Sequence, residues 1–364
     1  MNVLLPLGII IVVICFFCRN NNNAQNFSLF LAFIALALFL IFRFGFGPDY
    51  YNYWNIFDSI QGADASNHTG DGSTVEVGFL KYMQLFPNYA LFVAFNSLLW
   101  IITSYWLCKK YANPNMYWFV LLMLMFDPNT LTHHAVAMRQ ALCCVLFVIA
   151  FEFLNRGKIF VFCAIIIFAS SFHTSALLLL LIGFVYYDKK DFLTSNVYIY
   201  LIIGSGILSV LLGDNIVLKI LRNFLLSNVE ELQRYQDYEI GTTSSITALL
   251  FRLMLVTILL YVVSATKKDT DERYIYFNKV AIMAISIQLF FGQVLLSDRL
   301  LMSLTPFLVI AMSRFSRYMP KTFTYISFSF VIGIAFYLLS IKMGKTYAIS
   351  FLEYRTIFEA PYIP

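Results

Sequence analysis

Charge is what this sequence lacks. Asp, Glu, Lys and Arg make up 12% of its 364 residues, where a soluble chain carries about 25%. So few charges cannot cover the water-facing surface of a soluble protein of this length. Cysteine pairing is also poorly supported. Cys15, Cys18, Cys108, Cys143, Cys144 and Cys163 all lie in or beside apolar runs, where cysteine reads as a small core residue. Cys15-x-x-Cys18 has no second such pair and no histidine partner, which argues against zinc. The adjacent His133 and His134 likewise lack a metal partner at useful spacing. No P-loop, GxSxG or HExxH occurs, so nucleotide use and the common hydrolase chemistries lose their support.

What is present is apolar surface. Hydrophobic residues reach 60%, with 38 Phe and 23 Tyr, and mean hydropathy is +0.76. Aromatic side chains sit well in lipid and at its interfaces. The expected fold is an all-α, polytopic integral membrane protein forming one domain over residues 1–364. The net charge of +5 is read as membrane orientation; a nucleic-acid partner is not expected. Apolar runs near the length of a bilayer crossing cover 3–17, 27–42, 89–107, 112–126, 138–153 and 159–171. They continue at 174–187, 197–213, 247–265, 274–296, 300–312 and 322–341, giving about twelve spans. The first run has no Lys or Arg before it and no small-residue cleavage site, and is read as a retained helix.

Alternate short connections collect fourteen basic and six acidic residues, while the other face takes eleven basic and fourteen acidic ones. The basic face is assigned to the cytoplasm, so both termini are expected outside. The outer face then holds 43–88, 127–139, 172–175, 214–246, 297–299 and the tail from 342, which include nearly every chemically interesting group. Segment 43–88 is read as a long outer loop with a Gly- and Asp-rich middle. In 214–246, Val217, Leu221, Phe224, Leu225, Val229 and Leu232 recur at helical spacing, predicting an amphipathic helix on the interface. Tyr235 in that segment is taken as a substrate-binding candidate.

Ionisable groups at the ends of membrane helices are costly and therefore informative. Arg43, Arg139, Arg252 and Arg299 all fall on the outer side. Guanidinium groups hold phosphate oxygens bidentately and do not deprotonate, which suits a diphosphate or another polyanion; snorkelling at the lipid surface is the plainer alternative, above all for Arg43. Arg139 and Gln140 open an apolar helix. His173 occupies a polar hairpin, Ser-Ser-Phe-His-Thr-Ser, where it can exchange a proton near neutral pH or simply hold the turn. Asp49 is followed by Tyr50, Tyr51, Asn52, Tyr53 and Trp54. Ring faces beside polar tips suit sugars, and an interfacial aromatic belt is the alternative for the tyrosines. Glu76 precedes Gly78 and Phe79 and can bind a hydroxyl or act as a base.

These islands, taken in order, resemble the EpsG family of membrane proteins, related in role to Wzy-type polymerases of O-antigen and exopolysaccharide. The matching stretches are Phe42-Arg43, Pro48 to Tyr53, Glu76 to Phe79, Met138 to Ala141, Phe172 to Ala176, Asp298-Arg299 and Pro361-Tyr362. The insert around 62–73 and the region 190–290 fit the pattern poorly. The resemblance implies a GT-C-like membrane glycosyltransferase in the bacterial inner membrane. It would join oligosaccharide repeat units carried on undecaprenyl pyrophosphate at the outer face. For that reaction the chemistry of the residues assigns Arg139, Arg252 and Arg299 to a diphosphate clamp assisted by His173, and Asp49 or Glu76 to orient or deprotonate the acceptor. Arg43, Gln140 and the tyrosines would bind substrate. No cofactor is called for; the bilayer, a chain-length regulator and a flippase are the further partners expected. O-antigen ligase, a lipid-linked-sugar flippase, an acyltransferase and a structural subunit stay open on the residues alone.

Overall fold

The computed structural model describes residues 3–47, 49–61, 75–127, 129–188, 191–211, 245–291, 295–343 and 354–358. The segment carrying Tyr235, the Gly- and Asp-rich middle of the outer loop and Pro361-Tyr362 lie outside these residues. The first helices are α1 (Leu4–Phe17), α2 (Asn22–Ile41), α3 (Tyr50–Gln61), α4 (Val77–Met83) and α5 (Tyr89–Tyr111). Next come α6 (Tyr117–Phe126), α7 (Leu131–Val136), α8 (Met138–Asn155), α9 (Ile159–Ser170) and α10 (Phe184–Tyr187). The rest are α11 (Asn196–Leu211), α12 (Ser245–Lys268), α13 (Ile275–Phe291), α14 (Leu295–Phe315) and α15 (Lys321–Met343). The strands β1 (Arg43–Phe44) and β2 (Arg355–Thr356) pair antiparallel, so the C-terminal segment returns to the end of α2.

The expected all-α membrane architecture is what the chain forms. Four helical segments, Asn22–Ile41, Tyr89–Tyr111, Met138–Asn155 and Leu250–Lys268, are long and apolar enough to cross a membrane, and shorter apolar helices accompany them. Helix ends follow local chemistry. Asn21 caps α2 by accepting from the amides of Asn23 and Ala24, and Asn88 caps α5 through Leu91. Lys109 and Lys110 close α5, where cations complement the helix dipole.

Three segments differ from the sequence reading. Residues 174–183 form a 3-10 helix that passes into α10. The tighter winding rises about 2.0 Å per residue instead of 1.5 Å, so a short segment reaches further across the bundle. The aromatic stretch after Asp49 is helical, as α3, and not a loop. Helix α14 begins at Leu295, which puts Arg299 within its second turn instead of in a connection.

The short basic connections meet at one end of the bundle. Lys110 Nζ reaches Glu152 at 2.5 Å, Asn155 donates to the Arg273 carbonyl at 3.4 Å, and Arg317 donates to Asn113 at 2.9 Å. Lys279 pairs with Asp188 at 3.2 Å and Asp191 at 2.9 Å. Asp269, with a fully buried carboxylate, takes Arg314 at 2.9 Å, Asn278 at 2.9 Å and the Tyr318 hydroxyl at 3.3 Å. The Arg314 guanidinium also lies 3.2 Å from the centre of the Tyr274 ring. A buried carboxylate this well matched holds α12, α13 and α14 in register.

Removing one partner of a buried pair costs about 3–5 kcal/mol, because the other charge stays buried. Asp269→Ala is therefore expected to lower the melting temperature in detergent by several degrees, and Asp269→Asn by less. An Asp269→Ala protein melting with the native chain would contradict this reading.

Candidate functional site

Helix α8 runs from Arg139, in its first turn, to Glu152 at the basic end. Arg139 therefore stands at the opposite end of the bundle from the basic connections, and three other sequence segments join it there. Glu76 is the residue before α4. Its Oε2 accepts from Arg139 Nη1 at 2.7 Å. Its Oε1 accepts from His173 Nδ1 at 2.8 Å, from the Thr174 amide at 3.0 Å and from the Thr174 hydroxyl at 3.4 Å. Four donors match the roughly four lone-pair directions of an ionised carboxylate.

Arg299 Nη1 lies 2.8 Å from His173 Nε2. A guanidinium only donates, so Nε2 is the acceptor and the ring proton sits on Nδ1, directed at Glu76. The result is one continuous chain, Arg139–Glu76–His173–Arg299, drawn from residues up to 223 positions apart in sequence. Gln140 Nε2 donates to the Arg299 carbonyl at 2.6 Å, which fixes the start of α14 against α8. Arg139 Nε is 3.4 Å from the Tyr53 hydroxyl, linking α3 to the same chain.

Close backbone approach makes this meeting possible. A Cβ on Gly78 would come within 2.5 Å of the Ser171 carbonyl, so only glycine lets α4 press Glu76 against the His173 turn. Gly47 has φ +93° and would place a Cβ 2.4 Å from Val136, which ties the approach to Asp49 and α3 to a second glycine. Beneath the chain lies an aromatic cluster that includes Tyr50, Tyr53, Phe57, Phe79, Phe92 and Phe172.

Burial pushes the Glu76 carboxyl up, but the His173 bond and the charges of His173 and Arg139 outweigh it, with help from the Thr174 amide. The net position is well below the ordinary 4.5. Burial is the largest influence on His173 and lowers it; the bond to Glu76 opposes, and the Arg299 and Arg139 charges reinforce the lowering below 6.5. At neutral pH the site therefore holds an ionised Glu76, a neutral His173 and two arginines.

The other residues singled out in the sequence are placed as follows. Tyr50 is 2% and Tyr53 6% exposed, so their rings pack within the protein. Tyr51 is 48% exposed and Trp54 is partly exposed. Asp49 sits at the start of α3, its carbonyl accepting the Tyr53 amide at 3.0 Å. Arg43 is 2% exposed, so it does not snorkel to the lipid surface. It donates to the Leu40 carbonyl at 3.0 Å and to Ser97 at 2.8 Å, closing α2 against α5. Arg252 is also buried and donates to the Leu289 carbonyl near the end of α13. His134 donates from Nδ1 to the Thr130 carbonyl at 2.6 Å beside Trp100, while the His133 side chain lies outside the described residues. Tyr235 does also. Among the described residues no three His, Cys, Asp or Glu side chains converge in a metal-holding group. A cavity of about 300 Å³ between α5 and α8 is lined by Trp106, Ile149, Phe153 and Arg156 among others, and belongs to the basic end.

Sequence reasoning passed over Thr174 as a ligand of Glu76, and Tyr53 as a partner of Arg139 through its hydroxyl. The first signal was available: Thr174 follows His173 directly and opens a helix, where amides lack intrahelical partners.

The pH dependence of stability follows from the two lowered values. A lowered group contributes fully above its unfolded value and loses that contribution as pH falls through the folded one. His173 therefore begins to cost stability below pH 6.5, and Glu76 only below 4.5. The melting temperature is expected to drop as pH falls below 6.5, before Glu76 begins to contribute below 4.5, and His173→Gln should flatten that drop. A variant that follows the native curve throughout would contradict the assignment.

Residues 26–356 match the EpsG family. Comparison with curated proteins and with solved structures gives no significant match. The matched region contains all four residues of the charged chain and each helix that carries them. On that match, which spans far more than half its length, the chain belongs to the EpsG family.

Proposed function

We propose that the chain is a polysaccharide polymerase of the O-antigen or exopolysaccharide kind, acting at the outer face of the bacterial cytoplasmic membrane. In this reading the full chain makes about twelve crossings in a GT-C-like arrangement. The donor is a glycan joined through its anomeric carbon to undecaprenyl pyrophosphate, and the acceptor is the terminal sugar hydroxyl of a second lipid-linked unit. The hydroxyl oxygen bonds to the anomeric carbon as the bond to the diphosphate breaks and its electron pair leaves with the carrier. Direct displacement inverts the anomeric centre. The leaving group is built into the donor, so no nucleotide enters.

The observation that carries this reading is the meeting of Arg139 and Arg299 around Glu76 and His173. Two guanidinium groups on separate helices suit the two phosphates of a diphosphate, and fixed positive charge is most valuable where negative charge grows in the transition state. Arg252, bound to the Leu289 carbonyl, and Arg43, bound to the Leu40 carbonyl and Ser97, hold helix ends in this reading. Tyr51 and Trp54 offer ring faces to sugars, and Asp49 beside them orients a hydroxyl. A flippase and a chain-length regulator are the partners this activity calls for, to deliver the units and to set the polymer length.

Removing one charge-stabilising donor costs about 10²–10³-fold in rate. In a deletion strain carrying Arg139→Ala, gels of surface polysaccharide should lose the long ladder and keep a single attached repeat unit, with partial return in Arg139→Lys. Loss of every attached unit would transfer the reading to ligase or flippase, and an unchanged ladder would end it.

A further inference from the structure

Proton removal from the acceptor is the step that the charged chain leaves unassigned, and its geometry narrows the choice. Glu76 is the obvious carboxylate, yet its oxygens are occupied by Arg139, His173 and Thr174. A carboxylate held that way has no lone pair directed outward and is a weak base. His173 is arranged in the opposite sense. Glu76 fixes its proton on Nδ1, and the lone pair on Nε2 points away from Glu76 to Arg299. A carboxylate behind Nδ1 with a basic Nε2 in front is the arrangement by which an imidazole takes a proton from a hydroxyl.

Resting on the polymerase reading above, we propose that His173 is the catalytic base of the reaction, and that Arg299 covers its Nε2 until a diphosphate draws the guanidinium away. Glu76 is then a positioning residue. The groups facing the imidazole are Glu76 from the turn before α4, Arg139 from α8 and Arg299 from α14, and each has a part. In this structure Arg299 keeps Nε2 occupied. When the donor enters, Arg299 transfers its donor hydrogens to phosphate oxygens, which are stronger acceptors than a neutral imidazole. Nε2 is thereby uncovered only when a leaving group is in place. The acceptor hydroxyl gives its proton to Nε2 as its oxygen bonds to the anomeric carbon. The imidazolium so formed is stabilised by Glu76 through Nδ1–H and returns its proton to water after undecaprenyl pyrophosphate departs. The arrangement makes activation of the acceptor wait for the donor.

The test reads the imidazole directly. In the full-length protein in nanodiscs, ¹⁵N spectra of labelled histidine, with His173→Gln identifying the signal among four histidines, should show Nδ1 protonated and Nε2 unprotonated at pH 7.5. Adding undecaprenyl pyrophosphate should move the Nε2 signal, and undecaprenol should not. In the deletion strain, His173→Gln at native membrane levels should reduce long polymer by about 10²–10⁴-fold, the range for loss of a general base. Glu76→Gln should shift the pH profile of the residual activity. An Nε2 that is protonated at pH 7.5, or unmoved by the diphosphate, overturns the proposal without needing the variant to fold. A His173→Gln strain with a full ladder overturns it while Arg139→Ala still blocks the ladder, whereas a full ladder in both strains overturns the polymerase reading itself.

Discussion

A carboxylate at the end of an apolar bundle is tolerated only when its lone pairs are matched by donors. Glu76 meets that condition with three residues from two other segments: Arg139, and the adjacent His173 and Thr174. The match sets the position of α4 against α8 and the 3-10 helix. It also sets the tautomer of His173, and through Nε2 the resting position of Arg299. Losing the carboxylate would leave a partly buried arginine beside an imidazole whose proton has no fixed place. The glycine at 78 and the aromatic packing under the site serve this one contact by letting the chain segments come close enough.

The two ends of the bundle use charge differently. At the basic end, Asp269 with Arg314 and Asp188 with Lys279 are closed pairs of opposite sign, deeply buried, with further hydrogen bonds to Asn278, Tyr318 and backbone. Such pairs hold helices in register. At the other end, two arginines share a single carboxylate through an intervening neutral histidine. Among these four residues that leaves one positive charge in excess, and Arg139 keeps a quarter of its side chain exposed. A local excess of positive charge in a partly open site is what an anionic ligand requires.

The sequence read alone singled out Arg139, His173 and Arg299 as ionisable groups at the ends of apolar runs, Glu76 as a carboxylate beside Gly78, and Gln140 through the family resemblance. The sorting of basic residues into alternate connections also anticipated that these groups lie at one end. Orientation within helices was less legible. Tyr50 and Tyr53 looked like sugar-facing rings, yet α3 turns both inward, since a helix with aromatic residues at positions three apart places them on one face. The remaining face, with Tyr51 and Trp54, could only be assigned once the helix was known. The 3-10 winding of 174–183 had no counterpart in composition, because an apolar run carries no period that separates it from an α-helix. Arg252 looked equivalent to Arg139 as an outer arginine, and Arg43 looked like a side chain snorkelling to the lipid surface. What distinguishes Arg252 and Arg43 is the backbone carbonyl each one meets, a tertiary contact invisible to local pattern.

The central claim is that Glu76, His173, Arg139 and Arg299 act as one unit. Groups that work as a unit show strongly non-additive losses when removed together. The direct measurement is a double-mutant cycle of Glu76→Gln and Arg139→Gln, read as polymer formed per molecule of membrane-inserted protein. If the account holds, the double variant loses about as much as the worse single variant. Losses that multiply would show two independent sites and contradict it.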